Sequence, residues 1–291
     1  MVEGDRMFTG KTENLGVIGW PIAHSLSPVL QNAALRDAGL DYAYIALPVS
    51  PKDLPAAVEG LRAMNFRGFN VTIPHKTTII PLLDEIDEDA RIIGAVNTVI
   101  NEKGRLRGCN TDAGGFIGAL EEKGFHAEGR HVSILGAGGA ARAVIWGLVK
   151  NKAKRISIGV RNPSKAGVVM EFFRKYTDIA VFFWESEEFR SELEKTELLV
   201  NTTPLGMHPA VDAMPSVDFD RLHPEAFVYD IIYTPSRTRL LKEAAALGHP
   251  VLNGEGMLAG QGAEAFRLWT GRNANAGLMK KTLREYLEKI K

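Results

Sequence analysis

The sequence predicts an α/β fold with two domains, each built around a mostly parallel sheet. The first observation is length, because 291 residues exceed the usual size of one domain. The second is the alternation of strand-length apolar runs with amphipathic helical segments, which is typical of parallel βαβ units. The third is a change near Asp112, where a short hairpin gives way to a second alternating series. We therefore expect two α/β domains with a cleft between them.

Three strand-and-helix units follow one another in the first half of the chain. Strands are predicted at 15–19, 41–49 and 69–73, followed by helical segments at 27–39, 51–65 and 74–83. Apolar residues recur in these segments at spacings of three and four, for example at Leu54, Val58 and Leu61. The segment 97–108 instead predicts a hairpin of two short strands around Glu102, Lys103 and Gly104.

The second half repeats the alternation. Strands are predicted at 131–135, 155–160, 197–203 and 226–233, and two amphipathic helices, 256–271 and 276–290, end the chain. We assign residues 1–112 to the first domain, completed by the C-terminal helices within 254–291, and residues 113–253 to the second.

Composition excludes several classes of protein. Lys+Arg and Asp+Glu both number 35, so no excess of basic residues marks a surface for nucleic acid or an anionic membrane. The single cysteine, Cys109, excludes an intramolecular disulfide and suits a reducing compartment; we interpret it as a small apolar residue on a strand. The N-terminal stretch lacks the features of a signal peptide, and no apolar run reaches the roughly 20 residues of a membrane span. We expect a soluble cytoplasmic protein.

The seven histidines show no paired metal-ligand spacing, so we expect no metal site. His75 is interpreted as a structural or solvated residue. The oligomeric state stays open at this point, with a homodimer as the assembly to test.

The segment ILGAGGAARA carries Gly136, Gly138 and Ala141 in a G-x-G-x-x-G/A pattern, between the strand 131–135 and an amphipathic helix. Gly136 permits a tight turn, Gly138 lets a pyrophosphate approach the backbone, and Ala141 permits close helix packing. The helix N-terminus adds free N–H groups and a positive dipole end. This context predicts a Rossmann-type dinucleotide-binding domain rather than a glycine turn without a ligand.

The residue at the end of the next strand distinguishes the two nicotinamide dinucleotides. An acidic residue about 20 positions beyond the motif would bind the ribose 2′-hydroxyl of NAD. Here Arg161 occupies that place, followed by Asn162, and no Asp or Glu lies between Arg155 and Lys165. An arginine suits a 2′-phosphate, and Lys165 could add a second positive charge. The pattern favours NADP(H).

Polar residues also gather where the first domain should have its sheet edge. Ser25 and Ser27 precede a helix and could hold a small carboxylate, although Ser27 followed by Pro28 is equally well explained as a helix cap. Lys76 follows the buried strand 69–73, which Pro74 is expected to end. Ligands of α/β sheets bind at that edge.

Two further polar residues complete this picture. Asn97 precedes a strand, and Asp112 follows one; Asp112 could pair with Lys76 or could simply cap the next helix. A lysine–carboxylate pair can position a proton donor against a substrate oxygen. In NTTPLGM, Asn201 and Thr202 could approach a nicotinamide or could serve only the turn.

At this point the residues match a family. The segments HSLSP, NVTIPHK, GAVNT, NTDAGGF, GAGGAARA, NTTPLGM and GMLAGQGAEAF resemble the motifs of shikimate dehydrogenases, in the same order and over nearly the whole chain. The resemblance implies a two-domain enzyme of chorismate and aromatic amino acid biosynthesis that interconverts 3-dehydroshikimate and shikimate with NADPH and NADP.

The same resemblance implies a protein whose ligands are small molecules, and it implies roles for individual residues. Lys76 and Asp112 match the catalytic pair. Matching substrate-binding positions are Ser25, Ser27, Thr72, Asn97, Tyr233 and Gln261. Matching cofactor-binding positions are Gly136, Ala137, Gly138, Gly139, Ala140, Arg161, Asn162, Lys165, Gly254 and Met257, the last two near the nicotinamide.

Two departures and two rival interpretations accompany the resemblance. The chain has Gln31-Asn32 where the family often has His-Asn, and Val160-Arg161-Asn162 where Asn-Arg-Thr is common. The nearest rival is a quinate or dual quinate/shikimate dehydrogenase of the same fold. The rival from another class is a non-catalytic metabolite sensor, which would be free to lose the lysine and aspartate that this chain retains.

Overall fold

The computed structural model describes residues 8–289, apart from the side chains of residues 168 and 169. Residues 1–7, part of the stretch inspected for a signal peptide, lie outside the described residues. The strands are β1 Glu13–Gly19, β2 Tyr42–Pro48, β3 Gly68–Val71, β4 Glu85–Ile86, β5 Thr98–Glu102, β6 Arg105–Cys109, β7 His131–Leu135, β8 Arg155–Val160, β9 Asp178–Phe183, β10 Leu198–Asn201, β11 Phe227–Asp230 and β12 Val251–Leu252. The α-helices are α1 Ser27–Asp37, α2 Leu54–Ala63, α3 Glu88–Ile93, α4 Asp112–Glu121, α5 Gly139–Lys150, α6 Pro163–Met170, α7 Glu187–Leu193, α8 Arg239–Ala246, α9 Glu255–Thr270 and α10 Ala276–Lys289.

The chain divides into two compact units. The first runs to Thr111 and resumes at Ala259, whereas the second is Asp112–Leu258. Each unit contains one six-stranded sheet, so the predicted two-domain α/β fold is confirmed. Within residues 8–289, no helix is long and apolar enough to cross a membrane.

The sheet of the first unit has the order β2-β1-β3-β5-β6-β4. Its β1 lies parallel to β2 and β3, while β5 runs antiparallel to β3 and β6. The predicted hairpin is confirmed: Glu102 pairs with Arg105, and Lys103 and Gly104 between them have φ of 56° and 92°. Positive φ at both loop residues is the conformation that matches the twist of a two-residue hairpin.

A C-terminal helix completes this first unit. The indole N–H of Trp269 in α9 donates to the carbonyl of Val99 at 2.9 Å. A Cβ built on Gly68 of β3 would lie only 2.2 Å from Trp269 Nε1, so the glycine leaves the space that the indole fills. The Trp269 side chain is 1% exposed, which makes this contact part of the core.

The sheet of the second unit is parallel throughout, in the order β12-β11-β10-β7-β8-β9. Counted from β7 as the first strand, this is the 3-2-1-4-5-6 order of dinucleotide-binding sheets. The strand order reverses between β7 and β10, and ligands of such sheets bind beyond the strand ends at this switch point. The Rossmann-type prediction is therefore confirmed.

The segment after β3 differs from the sequence prediction. The strand ends at Val71 rather than at residue 73, and Ile73 is 73% exposed. The N–H of His75 turns back to the carbonyl of Thr72 at 2.9 Å, which ends the strand. The predicted helix over 74–83 is wrong: the segment forms turns and one 3₁₀ turn, Ile80–Leu82. Pro81 cannot donate an N–H, and four successive β-branched residues, 77–80, precede it.

The start of α1 also differs. Ser27 is the first residue of the helix and Leu26 occupies the cap position, so the interpretation of Ser27 as a capping residue is wrong. The Ser27 N–H instead donates to the hydroxyl of Ser25, at 3.4 Å.

Candidate active site

The glycine turn of the second unit lies directly after β7. Gly136 has φ of 102°, a conformation that disfavours any side chain, and a Cβ there would lie 2.9 Å from Thr202 Oγ1 and Thr203 Cγ2. Its N–H donates to the carbonyl of Gly159 in β8 at 2.9 Å. The backbone conformation and the close neighbours thus require glycine at position 136, in the tight turn that the motif predicted.

Gly138 and Gly139 have a different reason to lack side chains. Gly138 is the cap residue of α5 and Gly139 its first residue, and a Cβ built on either would meet no described atom within 4 Å. The fold itself therefore leaves room for side chains at both positions. Their absence keeps open space in front of a helix N-terminus, which is the cradle that a dinucleotide pyrophosphate requires. The residues present fit the cofactor.

The positively charged side chains lie one strand away from this turn. β8 pairs with β7 in parallel, and Arg161 follows the end of β8 with an exposed side chain. The side chain of Asn162 caps α6 by accepting the Lys165 N–H at 3.1 Å. The amide oxygen of Asn162 therefore has a structural task, while Arg161 and Lys165 are exposed beyond the strand.

Two other predicted cofactor residues lie at the start of α9: Gly254 directly before the helix and Met257 in its first turn. A Cβ on Gly254 would lie 1.9 Å from the carbonyl oxygen of Ile231, and the Gly254 N–H donates to the carbonyl of Ile232 at 3.0 Å. Close packing against the loop after β11 therefore explains this glycine. Met257 is buried. Tyr233 lies in the loop after β11, where burial raises the pKa of its phenol and keeps it protonated.

Lys76 belongs to the first unit and is held through its backbone. Its carbonyl accepts the N–H of Val96 at 2.7 Å, which places it beside Asn97. The preceding residue, His75, is 1% exposed, and its Nε2 lies 2.7 Å from the carbonyl of Val49. Because a carbonyl only accepts, Nε2 donates, and His75 anchors the turn that carries Lys76. The structural interpretation of His75 is confirmed.

Thr72 lies at the exits of two neighbouring strands. Its N–H donates to the carbonyl of Ile18 at 3.0 Å, and a Cβ on Gly19 would come 2.6 Å from its methyl group. The segments that follow β1 and β3 are thereby brought together. Ser25 and Ser27, on the segment after β1, are half-buried.

Asn97 hydrogen-bonds to several polar residues of the first unit. Its side chain is 2% exposed, and its Oδ1 accepts the Thr111 N–H at 2.8 Å and the Thr98 hydroxyl at 3.0 Å. Its Nδ2 lies 3.0 Å from Thr111 Oγ1 and approaches Oε1 of Gln261, on α9, within 3.5 Å. Asn97 and Gln261 are thus brought together, as the site prediction requires.

Asp112 is the first residue of α4 in the second unit, and its side chain is buried. The functional pairing of Asp112 with Lys76 stays a prediction.

Cys109 lies buried in β6, and burial raises the pKa of its thiol to about 12, so it remains protonated. Its interpretation as a small apolar strand residue is confirmed. Among residues 8–289, no group of three or more histidine, cysteine or acidic side chains could hold a metal ion.

Sequence reasoning missed the layer beneath Asn97. The hydroxyl of Tyr44 donates to Oδ1 of Asn70 at 2.6 Å, and Nδ2 of Asn70 donates to the carbonyl of Asn97 and to Thr98 Oγ1, each at 3.0 Å. Tyr44 and Asn70 are both buried. The available signal was a polar residue inside the otherwise apolar strand β3.

Comparisons with known proteins show which family the chain resembles. Residues 17–99 match the shikimate dehydrogenase substrate binding domain, and residues 254–284 match the shikimate 5'-dehydrogenase C-terminal domain. A relative from Geobacter metallireducens, shikimate dehydrogenase (NADP(+)), is 47% identical over 277 residues, covering 94% of this chain and 96% of its own.

Solved structures share the fold. Shikimate 5-dehydrogenase from Listeria monocytogenes, in complex with shikimate and NAD, superposes with a TM-score of 0.91 at 39% identity, covering 96% of this chain and 99% of its own. Quinate dehydrogenase from Corynebacterium glutamicum, in complex with NAD, gives 0.86 at 30% identity, covering 94% and 99%. With a relative 47% identical across nearly all its length, the chain belongs to the shikimate dehydrogenase family.

Proposed function

We propose that this chain is an NADP-dependent shikimate dehydrogenase, which reversibly reduces 3-dehydroshikimate to shikimate in chorismate biosynthesis. The observation that carries the proposal is the second unit's open glycine cradle at Gly138, one strand away from the exposed Arg161. Family membership supports the substrate, since the relative from Geobacter metallireducens is a shikimate dehydrogenase named for NADP(+).

Each part of the cofactor site has a physical task. The N-terminus of α5 and the space left by Gly138 and Gly139 would take the pyrophosphate. Arg161 would form charge-assisted, forked hydrogen bonds to the 2′-phosphate, with Lys165 adding charge. Ala137 and Ala140 flank the glycines, while Gly254 and Met257 would adjoin the nicotinamide.

The substrate would be held mainly by the first unit. Ser25 and Ser27, with Ser27 at the start of α1, would bind the carboxylate, and the rejected capping role of Ser27 strengthens this assignment. Ring hydroxyls would meet the remaining polar groups: Thr72, Asn97, Gln261 and Tyr233.

NADPH, when bound, supplies the hydride that adds to C3 of 3-dehydroshikimate. The ammonium group of Lys76 gives a proton to the C3 oxygen, so a C–H bond and an O–H bond form while the C=O double bond becomes single. Lys76 is left as a neutral amine, and the reverse reaction returns the proton to it. Asp112 would orient Lys76 and accept a hydrogen bond from the C3 hydroxyl.

The test is a set of initial rates measured at 340 nm, with shikimate or quinate, each paired with NADP or NAD. Fast turnover with shikimate and NADP alone is expected. Comparable rates with quinate would favour the dual-specificity enzyme, because a quinate dehydrogenase shares this fold. NADPH binding without turnover of either substrate would overturn the enzymatic assignment in favour of a sensor.

Location and assembly are part of the proposal. The single cysteine and the NADPH dependence suit the reducing cytoplasm. We also propose a homodimer, to be tested by light scattering coupled to size-exclusion chromatography; a mass of about one chain would refute it.

A further inference from the structure

A buried amide–carboxylate pair lies on β10 and β11, beside the switch point of the second unit. Asn201 and Asp230 are the last residues of the adjacent strands β10 and β11, and they face each other in register. Both are 0% exposed, and Asn201 Nδ2 donates to Asp230 Oδ1 at 3.0 Å. The site assignments above do not include Asp230, and they leave open whether Asn201 approaches the nicotinamide or serves only the turn.

Asp230 holds the loop after β11 at both ends. Its Oδ1 also accepts the N–H of Ile232 at 3.1 Å, and its Oδ2 accepts the hydroxyl of Thr238 at 2.7 Å. Thr238 in turn caps α8 by accepting the Leu241 N–H at 3.4 Å. The carbonyl of Ile232 receives the N–H of Gly254, so the segment that leads into α9 depends on the same loop.

Asn201 holds the loop after β10 against the glycine turn. Its Oδ1 accepts both the N–H and the hydroxyl of Thr203, at 2.9 and 2.7 Å. The hydroxyl of Thr202 donates at 2.8 Å to the carbonyl of Leu135, the residue before Gly136. Thr202 and Thr203 are also the side chains that a Cβ on Gly136 would meet.

Stability of the fold does not by itself explain why a carboxylate is buried at this position. The groups that hydrogen-bond to the Asp230 carboxylate within residues 8–289 are neutral: the Asn201 amide, the Ile232 N–H and the Thr238 hydroxyl. A buried carboxylate without a cation destabilises a fold, and burial raises the pKa of Asp230 to about 6. Such groups concentrate at functional sites.

We propose that Asp230, acting through Asn201, is a positioning residue for the dinucleotide. It fixes the loops 202–206 and 231–238, and through them the Gly136 turn and the Gly254 segment, in the arrangement that receives the cofactor. This inference rests on the proposed function and extends it to residues that do not touch the cofactor themselves.

The experiment measures NADPH affinity by fluorescence titration, without substrate, for wild type, Asp230→Ala and Asp230→Asn. Asp230→Ala should weaken binding by about tenfold or more, since small displacements of a binding site have effects of that order. Asp230→Asn keeps an oxygen that can accept the hydrogen bonds of Asn201 Nδ2 and the Ile232 N–H. Its NADPH affinity should therefore lie much closer to that of wild type than to that of Asp230→Ala.

The matched control is Ser133→Ala. Ser133 lies in β7 of the same sheet, is buried, and forms a 2.6 Å hydroxyl–hydroxyl hydrogen bond with Thr196. Its loss should lower the melting temperature and leave the NADPH Kd within twofold of wild type. If Ser133→Ala weakens binding as much as Asp230→Ala, the effect is structural and the proposal fails.

Two further outcomes are defined. If Asp230→Ala does not fold, Thr238→Val removes one donor to the carboxylate, and wild-type affinity in that variant would overturn the proposal. If wild type binds NADPH but does not turn over shikimate, the proposed function fails while the comparison of affinities still decides the role of Asp230.

Discussion

Replacing Asp230 with asparagine should change how folding stability depends on pH. Burial, with only neutral hydrogen-bond partners among residues 8–289, raises the pKa of this carboxyl from 3.8 to about 6 in the folded protein. The folded state therefore holds the proton more tightly than the unfolded state, so this group's contribution to stability is greatest at low pH. It falls as the pH rises from about 4 to about 6, where the folded carboxyl ionises.

The magnitude follows from the two pKa values. A difference between 3.8 unfolded and about 6 folded corresponds to roughly 3 kcal/mol across the whole range. About 1 kcal/mol of this change falls between pH 5 and 7, a range in which the native protein can be measured. Asparagine does not titrate, so the stability of Asp230→Asn relative to wild type should increase by that amount over the interval.

Urea denaturation of both proteins at pH 5, 6 and 7 measures this difference. The constant offset caused by the substitution cancels, because only the pH dependence of the difference is compared. Ser133→Ala, which removes a buried hydroxyl that does not titrate, should give a curve parallel to that of wild type. Parallel curves for wild type and Asp230→Asn, or a stability of Asp230→Asn that falls relative to wild type as the pH rises, would refute the raised pKa of the buried Asp230 carboxyl.

Three other predictions concern the proposed active site. Lys76→Ala should lower kcat far more than it raises KM for shikimate in initial-rate assays, since a proton donor acts in the transition state; near-normal kcat would reject the role. Gly138→Ala should weaken NADPH binding in a fluorescence titration and leave the melting temperature unchanged, because its Cβ would meet no described atom of the fold. Gly136→Ala should lower both the NADPH affinity and the melting temperature, because a side chain at its positive φ adds roughly 1–3 kcal/mol of backbone strain. Arg161→Ala should reduce the ratio of kcat/KM for NADP over NAD by roughly 10- to 100-fold, the worth of charge-assisted hydrogen bonds, and an unchanged ratio would exclude it from cofactor selection.

Much of the fold could be predicted because local patterns and tertiary structure agree. Parallel strands buried on both faces read as continuous apolar runs, and Gly104 suits the positive φ of a two-residue hairpin turn. The glycine motif was informative because its strand and helix context was complete. The apolar spacing was misleading after β3, where the residues form turns instead of the expected helix because Pro81 donates no N–H and four β-branched residues precede it.

The candidate site was predictable to the extent that its residues follow strands. Lys76, Asp112 and Arg161 each stand just after a strand or begin the next helix, and that position alone marks a sheet edge. The role of each polar residue or glycine, in ligand binding or in the fold, could not be predicted from the sequence. Asn162 and Gly254 were assigned to the cofactor, yet the structure gives each a task within its own unit.

Asn70 and Asp230, which sequence reasoning overlooked, share a position with Asn201, whose use it left open. Asn70, Asn201 and Asp230 lie at or one residue before the end of a buried parallel strand, where a polar residue interrupts an apolar run. Beyond that point the backbone leaves the sheet and its N–H groups lose their ladder partners. A buried side chain there can receive those N–H groups, as Asp230 does with Ile232 and Asn201 with Thr203. The geometry of a ligand-binding loop is then set by the side chain that ends the strand, and substitutions at these positions should alter binding before they alter the fold.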